Sequence, residues 1–312
     1  MRGASVPALG ENCYGRRRTL ATDLTAPNGQ PPFPAPAVRR IAQGRDWSMA
    51  EYICHAGPGD RAFEEQHATF TIAAVTSGLF RYRANTGTAL LHPGAVLLGN
   101  AGTCFECGHD HSRGDHCIAL HIEPDYFADV AASVAGTMRY RFRMGMLPAG
   151  AASLPWLVRL QTGIARADPC ETEAAVTQLV EQVITASSGA TPTPQRISAS
   201  DEQRICASVR GLERDYAGAI SLDQLADAAA MSKYHYLRTF RRIVGSTPYQ
   251  YLLWLRLRHA ALRLARSAAP VLDIAFDAGF GDFSTFITRF RRQFGMSPSH
   301  YRARFGKRRA TG

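Results

Sequence analysis

Residues 232–251 read SKYHYLRTFRRIVGSTPYQY, and residues 282–301 read DFSTFITRFRRQFGMSPSHY. At a fixed offset of fifty, Phe240-Arg241-Arg242 returns as Phe290-Arg291-Arg292, Gly245 as Gly295, Pro248 as Pro298 and Tyr251 as Tyr301. Structural punctuation repeats together with aromatic and cationic residues, so the register reads as a duplication. Each copy has the grammar of a helix–turn–helix. In the first, Ser221 stands as an N-cap ahead of Leu222, Leu225 and Ala226, and Ser232 caps a second helix that Gly245 stops. Tyr236, Phe240 and Ile243 space its buried face, leaving Tyr234, Leu237, Arg238 and Arg241 on the other. In the second copy Ile274, Ala275 and Ala278 point inward and Asp282 caps a helix that buries Phe286, Phe290 and Phe294. Between the copies, Thr247-Pro248 opens a helix that runs to about Ser267, roughly 30 Å at 1.5 Å per residue. One turn of B-DNA is about 34 Å, so such a spacer sets two recognition helices in successive major grooves.

Charge divides the chain in the same way. The whole carries 36 Lys+Arg against 26 Asp+Glu, a net charge of +10, and residues 201–312 supply all of it. A neutral body with a basic C-terminal third is the electrostatic footprint of a nucleic-acid-binding module joined to something else. Hydrophobic residues make up 46% of the chain, an ordinary globular content. No apolar run approaches the roughly 20 residues of a membrane span. Arg16-Arg17-Arg18 is not followed by an apolar run, so no secretion signal is expected, and the cytoplasm is the expected compartment. Seven scattered cysteines argue for reduced thiols rather than a disulfide framework.

Residues 1–36 have the composition of a disordered arm, rich in Pro and Gly. From 37 to 122 the chain takes on strand grammar, with candidates at Trp47–Cys54, His67–Val75, Leu79–Arg83, Ala95–Leu98, Thr103–His111 and Asp115–Ile122. Short strands at this spacing predict a small sandwich or barrel able to hold a small molecule. Helices are expected from Pro124, over Pro155–Ala167 and over Glu171–Ala186. The last carries Val176, Leu179, Val180 and Val183 on one face, suited to packing on the β domain or to a homodimer. A Ser/Thr/Pro-rich linker follows at 189–200. The fold class is α+β, with a β domain plus helices over 37–188 and an all-α domain over 201–312.

A second unusual cluster lies in the β region. If Ser112-Arg113-Gly114 closes a hairpin, alternation puts Cys107, His109, His111 and Cys117 on one face. Two thiols and two imidazoles are the ligand types zinc prefers. Buried packing, small-ligand contact and a redox-active thiol are the competing roles.

The stretch Ser221–Tyr301 resembles the DNA-binding domain of the AraC/XylS transcriptional regulators. The matching residues are Leu225-Ala226, Met231-Ser232, Arg238-Thr239-Phe240-Arg241, Gly245-Ser246-Thr247-Pro248, Arg256-Leu257, Ala260, Ile274-Ala275, Gly279-Phe280, Phe286, Phe290-Arg291 and Gly295 through Pro298. The resemblance covers about a third of the chain. It implies a cupin-like sensing domain for the N-terminal part and base-reading roles for Tyr234, Leu237 and Arg238, then Phe283, Ser284, Ile287 and Thr288. Ser232 and His235 belong to the same DNA-facing set, and Arg241, Arg242, Arg291 and Arg292 are suited to phosphate contacts. The second unit departs from the pattern, with Thr288 where a basic residue is common and Phe283 in place of a polar one. Base readout is therefore expected chiefly from the first unit, and support from the second. Double-stranded DNA, a small-molecule effector and, for an activator, RNA polymerase are the implied partners. The competing class is a cupin-type metal-dependent enzyme carrying a DNA-binding tail, for which His67, Glu64 and Glu65 are the candidate ligands.

Overall fold

A computed structural model describes residues 36–60, 62–150, 155, 158, 169–188 and 197–306. All but the last residue of the expected arm at 1–36, most of the helix at Pro155–Ala167 and most of the linker lie outside the described residues.

Among the described residues, ten strands form two sheets. They are β1 Ala37–Gln43, β2 Trp47–Cys54, β3 Phe63–Gln66, β4 Phe70–Gly78, β5 Phe80–Ala84, β6 Gly87–Leu91, β7 Val96–Gly99, β8 Cys104–Gly108, β9 Asp115–Ile122 and β10 Met146–Leu147. The larger sheet has the order β1-β2-β9-β4-β7-β10 and the smaller β3-β8-β5-β6, so two stacked sheets stand where a sandwich or barrel was expected. Alternation along β4 explains the layering. Phe70, Ile72 and Ala74 join one apolar cluster, whereas Ala73 and Val75 join the other. The first cluster continues into helices; the second fills the space between the sheets with Phe80, Tyr82, Leu91, Leu97 and Ala119. A strand buried on both faces cannot alternate polar with apolar, and β4 does not.

Two helices cover the outer face of the larger sheet, α1 Pro124–Ala135 and α2 Pro169–Ser188. The apolar face of α2, with Val176, Leu179, Val180, Val183 and Ile184, is buried in this core and packs against α1. Ser187 and Ser188, beyond the expected helix end at Ala186, complete the last turn of α2.

The C-terminal helices are α3 Ala199–Asp215, α4 Leu222–Ala228, α5 Lys233–Val244, α6 Pro248–Arg266, α7 Val271–Asp277, α8 Phe283–Phe294 and α9 Pro298–Phe305. Local chemistry sets their ends. Ser198, Ser221, Ser232, Thr247, Asp282 and Ser297 each accept a hydrogen bond from the backbone three residues on. Gly245 and Gly295 end α5 and α8 in the left-handed conformation.

Two expectations need correction. β8 and β9 are not a hairpin: β8 pairs with β3 and β5, β9 with β2 and β4. The Ser112-Arg113-Gly114 turn instead carries the chain from one sheet to the other, which its residue types permit equally well. Nor are all thiols reduced. Cys54, Cys107, Cys117 and Cys206 are free, but Cys104 is disulfide-bonded. Composition counts sulfurs without saying which ones the fold brings together.

The candidate DNA-binding face and its contacts with the β domain

The α5 and α8 helices have the same length, twelve residues, with side-chain N-caps (Ser232, Asp282) and C-cap glycines (Gly245, Gly295) fifty positions apart. In α5, Tyr236, Phe240, Ile243 and Val244 are buried, so Tyr234, Leu237, Arg238 and Arg241 form the opposite stripe at i, i+3, i+4 and i+7. Tyr234 is 75% exposed. Arg238, Arg241, Arg242, Ser232 and His235 are also exposed, and Leu237 is half-buried. The Ser232 oxygen accepts from the His235 amide at 3.3 Å, while the His235 ring lies 3.4 Å from Asp201. His235 is thus placed beside a carboxylate on α3 as well as on the outer face.

In α8 the matching stripe is Ser284, Ile287, Thr288 and Arg291. Ser284, Thr288, Arg291 and Arg292 are exposed. Phe283 and Ile287 instead pack against the apolar core, with Phe283 stacked on Phe286 at 6.2 Å. Two of the four positions proposed to read bases in this unit are therefore partly spent on holding it together.

The offset of fifty fails ahead of these helices. α4 and α7 are displaced by forty-nine, so the second unit has one more residue in its turn. The left-handed position of that turn is Ala230 (φ 49) in the first unit and Gly279 (φ 87) in the second. A side chain on Gly279 would meet the Ala217 carbonyl at 2.7 Å, so the close approach to the α3–α4 connection requires glycine.

The β domain touches the first unit at its far end. His92 is fully buried, with Nε2 3.2 Å from the Val244 carbonyl and Nδ1 3.1 Å from that of Pro93. Burial lowers its pKa to about 4, and a neutral imidazole can donate to only one of the two carbonyls. The Tyr251 hydroxyl donates to Pro93 O at 3.2 Å and its ring meets His92 edge-on. Arg258, on the buried stripe of α6, donates to Thr76 O at 3.0 Å and lies over the Trp254 ring. On α3, Glu202 accepts from Arg81 at 2.8 Å and pairs with His111 at 2.7 Å, while Arg210 donates to the His111 carbonyl at 2.6 Å. The His111 hydrogen bond, aided by Arg81 against the cost of burial, holds the Glu202 carboxyl down at about 2. Sequence reading missed this interface. Its one legible sign was Arg258, a cation at i+7 from Tyr251 on an otherwise apolar helix face.

His111 therefore serves the contact with α3 and does not share a cluster with Cys107, His109 and Cys117. The His109 Nε2 lies 2.5 Å from Asp115 Oδ2, and the Cys117 thiol donates to Asp115 Oδ1 at 3.3 Å. Burial opposes the charged form of His109, but hydrogen bonds with Asp115 and Cys54 outweigh it and hold the imidazole up at about 9. Cys107 and Cys117 are buried between the sheets, and burial, reinforced by the Asp115 charge, pushes both thiols well up. His67 is also buried, bonded to the Tyr82 hydroxyl at 2.9 Å and stacked on Phe105. Among the described residues, neither Glu64 nor Glu65 joins it in a set of ligand atoms close enough to hold an ion.

Comparisons with known proteins fall on the same two regions. A family model for an AraC-like ligand-binding domain matches residues 49–180, and one for a helix-turn-helix domain matches 225–304. The regulatory protein SoxS of Salmonella typhimurium (strain LT2) is 32% identical over 105 residues, 34% of this chain and 98% of its own length. The chain belongs to the AraC/XylS family of transcriptional regulators. Among other AraC/XylS relatives, the transcriptional activator RhaS of Yersinia pestis (bv. Antiqua, strain Angola) is 34% identical over 108 residues, 35% of this chain. The chain spans only 40% of that protein's length. Of solved structures, the DNA-binding domain of AdpA in complex with target DNA is 32% identical over 35% of this chain and 98% of its own, with a TM-score of 0.33. ToxT from Vibrio cholerae is 12% identical over 86% of this chain and all of its own, also with a TM-score of 0.33. The chain thus carries two helix-turn-helix units of the family's DNA-binding type and a region matching an AraC-like ligand-binding domain. No helix among the described residues is long and apolar enough to cross a membrane.

Proposed function

We propose that this regulator reads two successive major grooves, the α5 stripe specifying sequence and the α8 stripe chiefly holding position. The carrying observation is the difference in what equivalent exposed positions present: Tyr234 and Arg238 on α5, but Ser284 and Thr288 on α8, where Phe283 and Ile287 also pack against the core. α6, with 19 residues, is about 28 Å long, which suits the spacing of one DNA turn. Exposed arginines in the last turns of α5 and α8 serve as phosphate contacts.

The sensing domain at 37–188 binds a small-molecule effector and passes its state through a linker at 189–200 to the DNA-binding domain at 201–312. The contacts of His92, Tyr251 and Arg258 supply a physical route for that coupling. The protein acts in the cytoplasm as a homodimeric activator that engages RNA polymerase, without an enzymatic step of its own; the names of the relatives RhaS and SoxS support the regulatory part of this reading. Genomic footprinting tests it. Bound sites with two half-motifs about one helical turn apart are expected, and the genes beside them name the effector class. Binding without sequence preference, or catalytic turnover of the compound that alters DNA affinity, overturns the reading.

A further inference from the structure

The space between the two sheets gathers an unusual set of side chains. Cys54 and Asp115 are register partners on β2 and β9, and Cys117 follows Asp115 at the next inward position of β9. His109 comes across from the smaller sheet, just beyond β8, where Cys107 precedes it on the same side. The ligand atoms of Cys54, His109 and Asp115 all lie within 4.8 Å of one another, and each of the three residues is at most 9% exposed. In tetrahedral coordination with metal–ligand bonds of about 2.0–2.3 Å, ligand atoms stand about 3.3–3.8 Å apart. Small side-chain adjustments thus suffice to place a cation at their centre. The Cys117 sulfur lies 3.3 Å from Asp115 but outside that 4.8 Å group, so it reaches the cation as a fourth ligand only by moving inward.

We propose that this interior is a binding site for a thiophilic divalent cation of the zinc class, held by Cys54, His109 and Asp115 with Cys117 as the fourth ligand. Thiolate, imidazole and carboxylate are the donors such an ion takes, whereas magnesium or calcium would require an oxygen set. Coordination breaks the S–H bonds of Cys54 and Cys117 and the N–H bond that His109 directs at Asp115, and forms metal–sulfur, metal–nitrogen and metal–oxygen bonds; the three protons pass to water and no electrons change hands. The short His109–Asp115 hydrogen bond gives way to a shared cation. Phe80, stacked on the His109 ring at 5.7 Å, fixes the ring's plane.

The segment that supplies His109 and Asp115 also carries His111 into Glu202 and its carbonyl to Arg210. A bound cation would therefore steady the loop on which the α3 contact stands. That consequence rests on the regulatory reading above; the site itself does not.

The test is cobalt(II) titration of the full-length protein, stripped with a chelator and kept reduced. One equivalent should bind with thiolate-to-cobalt absorption and tetrahedral ligand-field bands, and zinc should displace it. The Cys54→Ser and His109→Gln variants should lose the bands, while His111→Gln, whose side chain faces Glu202, should keep them. Circular dichroism checks the fold of each variant. If either variant unfolds, X-ray absorption of the cobalt-loaded wild type decides, with sulfur and nitrogen/oxygen ligands expected together. No cobalt uptake by the wild type, bands that survive in folded Cys54→Ser, or a sulfur-free ligand shell would overturn the proposal. A change in DNA affinity on metal loading reports separately on the link to α3.

Discussion

Salt titration puts the reading of the DNA-facing helices on a quantitative footing. Arg241 and Arg242 lie in the last turn of α5, Arg291 and Arg292 in that of α8, and all four are exposed. If each neutralises one phosphate, the logarithm of the binding constant falls against log salt with a slope of about −3.6, from about 0.9 per contact on duplex DNA. Between 50 and 200 mM salt the affinity then drops about 150-fold. The double variant Arg241→Gln/Arg291→Gln removes one contact from each helix, which leaves a slope of about −1.8 and a drop of about 12-fold. Fluorescence anisotropy on a labelled duplex measures both, and a non-specific duplex suffices because the phosphate contribution is independent of sequence. Arg39→Gln is the control: that side chain is paired with Glu51 on β2, far along the chain from either recognition helix, and its loss should leave the slope alone. A wild-type slope near zero, or an unchanged slope in the folded double variant, would refute the assignment of these arginines to the backbone.

Three further outcomes are expected. Arg238→Ala should lose about 1–3 kcal/mol of discrimination at one base pair, whereas Thr288→Ala should change it by under about 0.5, measured by competition with single-base operator variants. Gly279→Ala should cost roughly 2–4 kcal/mol in urea denaturation, because the left-handed backbone and the Ala217 carbonyl both oppose a side chain; Ala230→Gly, at the equivalent position, should stabilise by about 0.5–1 kcal/mol. Burial raises the Glu213 carboxyl from its ordinary 4.5 to about 7, against the pull of Arg258 and Arg210. The folded state holds this proton more tightly than the unfolded one, so the group's contribution is complete below pH 4.5 and lost as pH rises through 7. Glu213→Gln should flatten thermal stability across that window, a change on the order of 1–3 kcal/mol.

Where structure follows from neighbouring residues, it was legible. The limits of α5 and α8 match their caps, Ser232 with Gly245 and Asp282 with Gly295, because capping is decided within a few residues. β2 and β9 have the bounds expected for them, their apolar content marking them out. β1, β3, β6 and the two-residue β10 were missed. β1 is largely exposed and reads as polar sequence, with Val38 57% exposed and Arg39 paired to Glu51. The proposed cation set was half legible: the sequence singled out His109 and Cys117, though on a hairpin that does not form, but Cys54 reaches Asp115 only through a strand register that no local pattern encodes. His111 was misplaced for the same reason. Its partner Glu202 lies on a helix of the other domain, and nothing adjacent in the chain announces it.

The contacts between the domains avoid the reading stripes. His92, Pro93 and Thr76 meet Val244, Tyr251 and Arg258, at the tail of α5 and along α6, and leave Tyr234 and Arg238 open. On the function proposed above, the address on DNA and the means of control are written on different residues. Substitutions at Tyr234 or Arg238 can retarget the protein to a new operator while the β domain keeps its grip. Conversely, changes at His92 or Tyr251 can retune the response without moving the protein to other genes. Such separation lets one architecture diversify along two independent axes, each open to change without undoing the other.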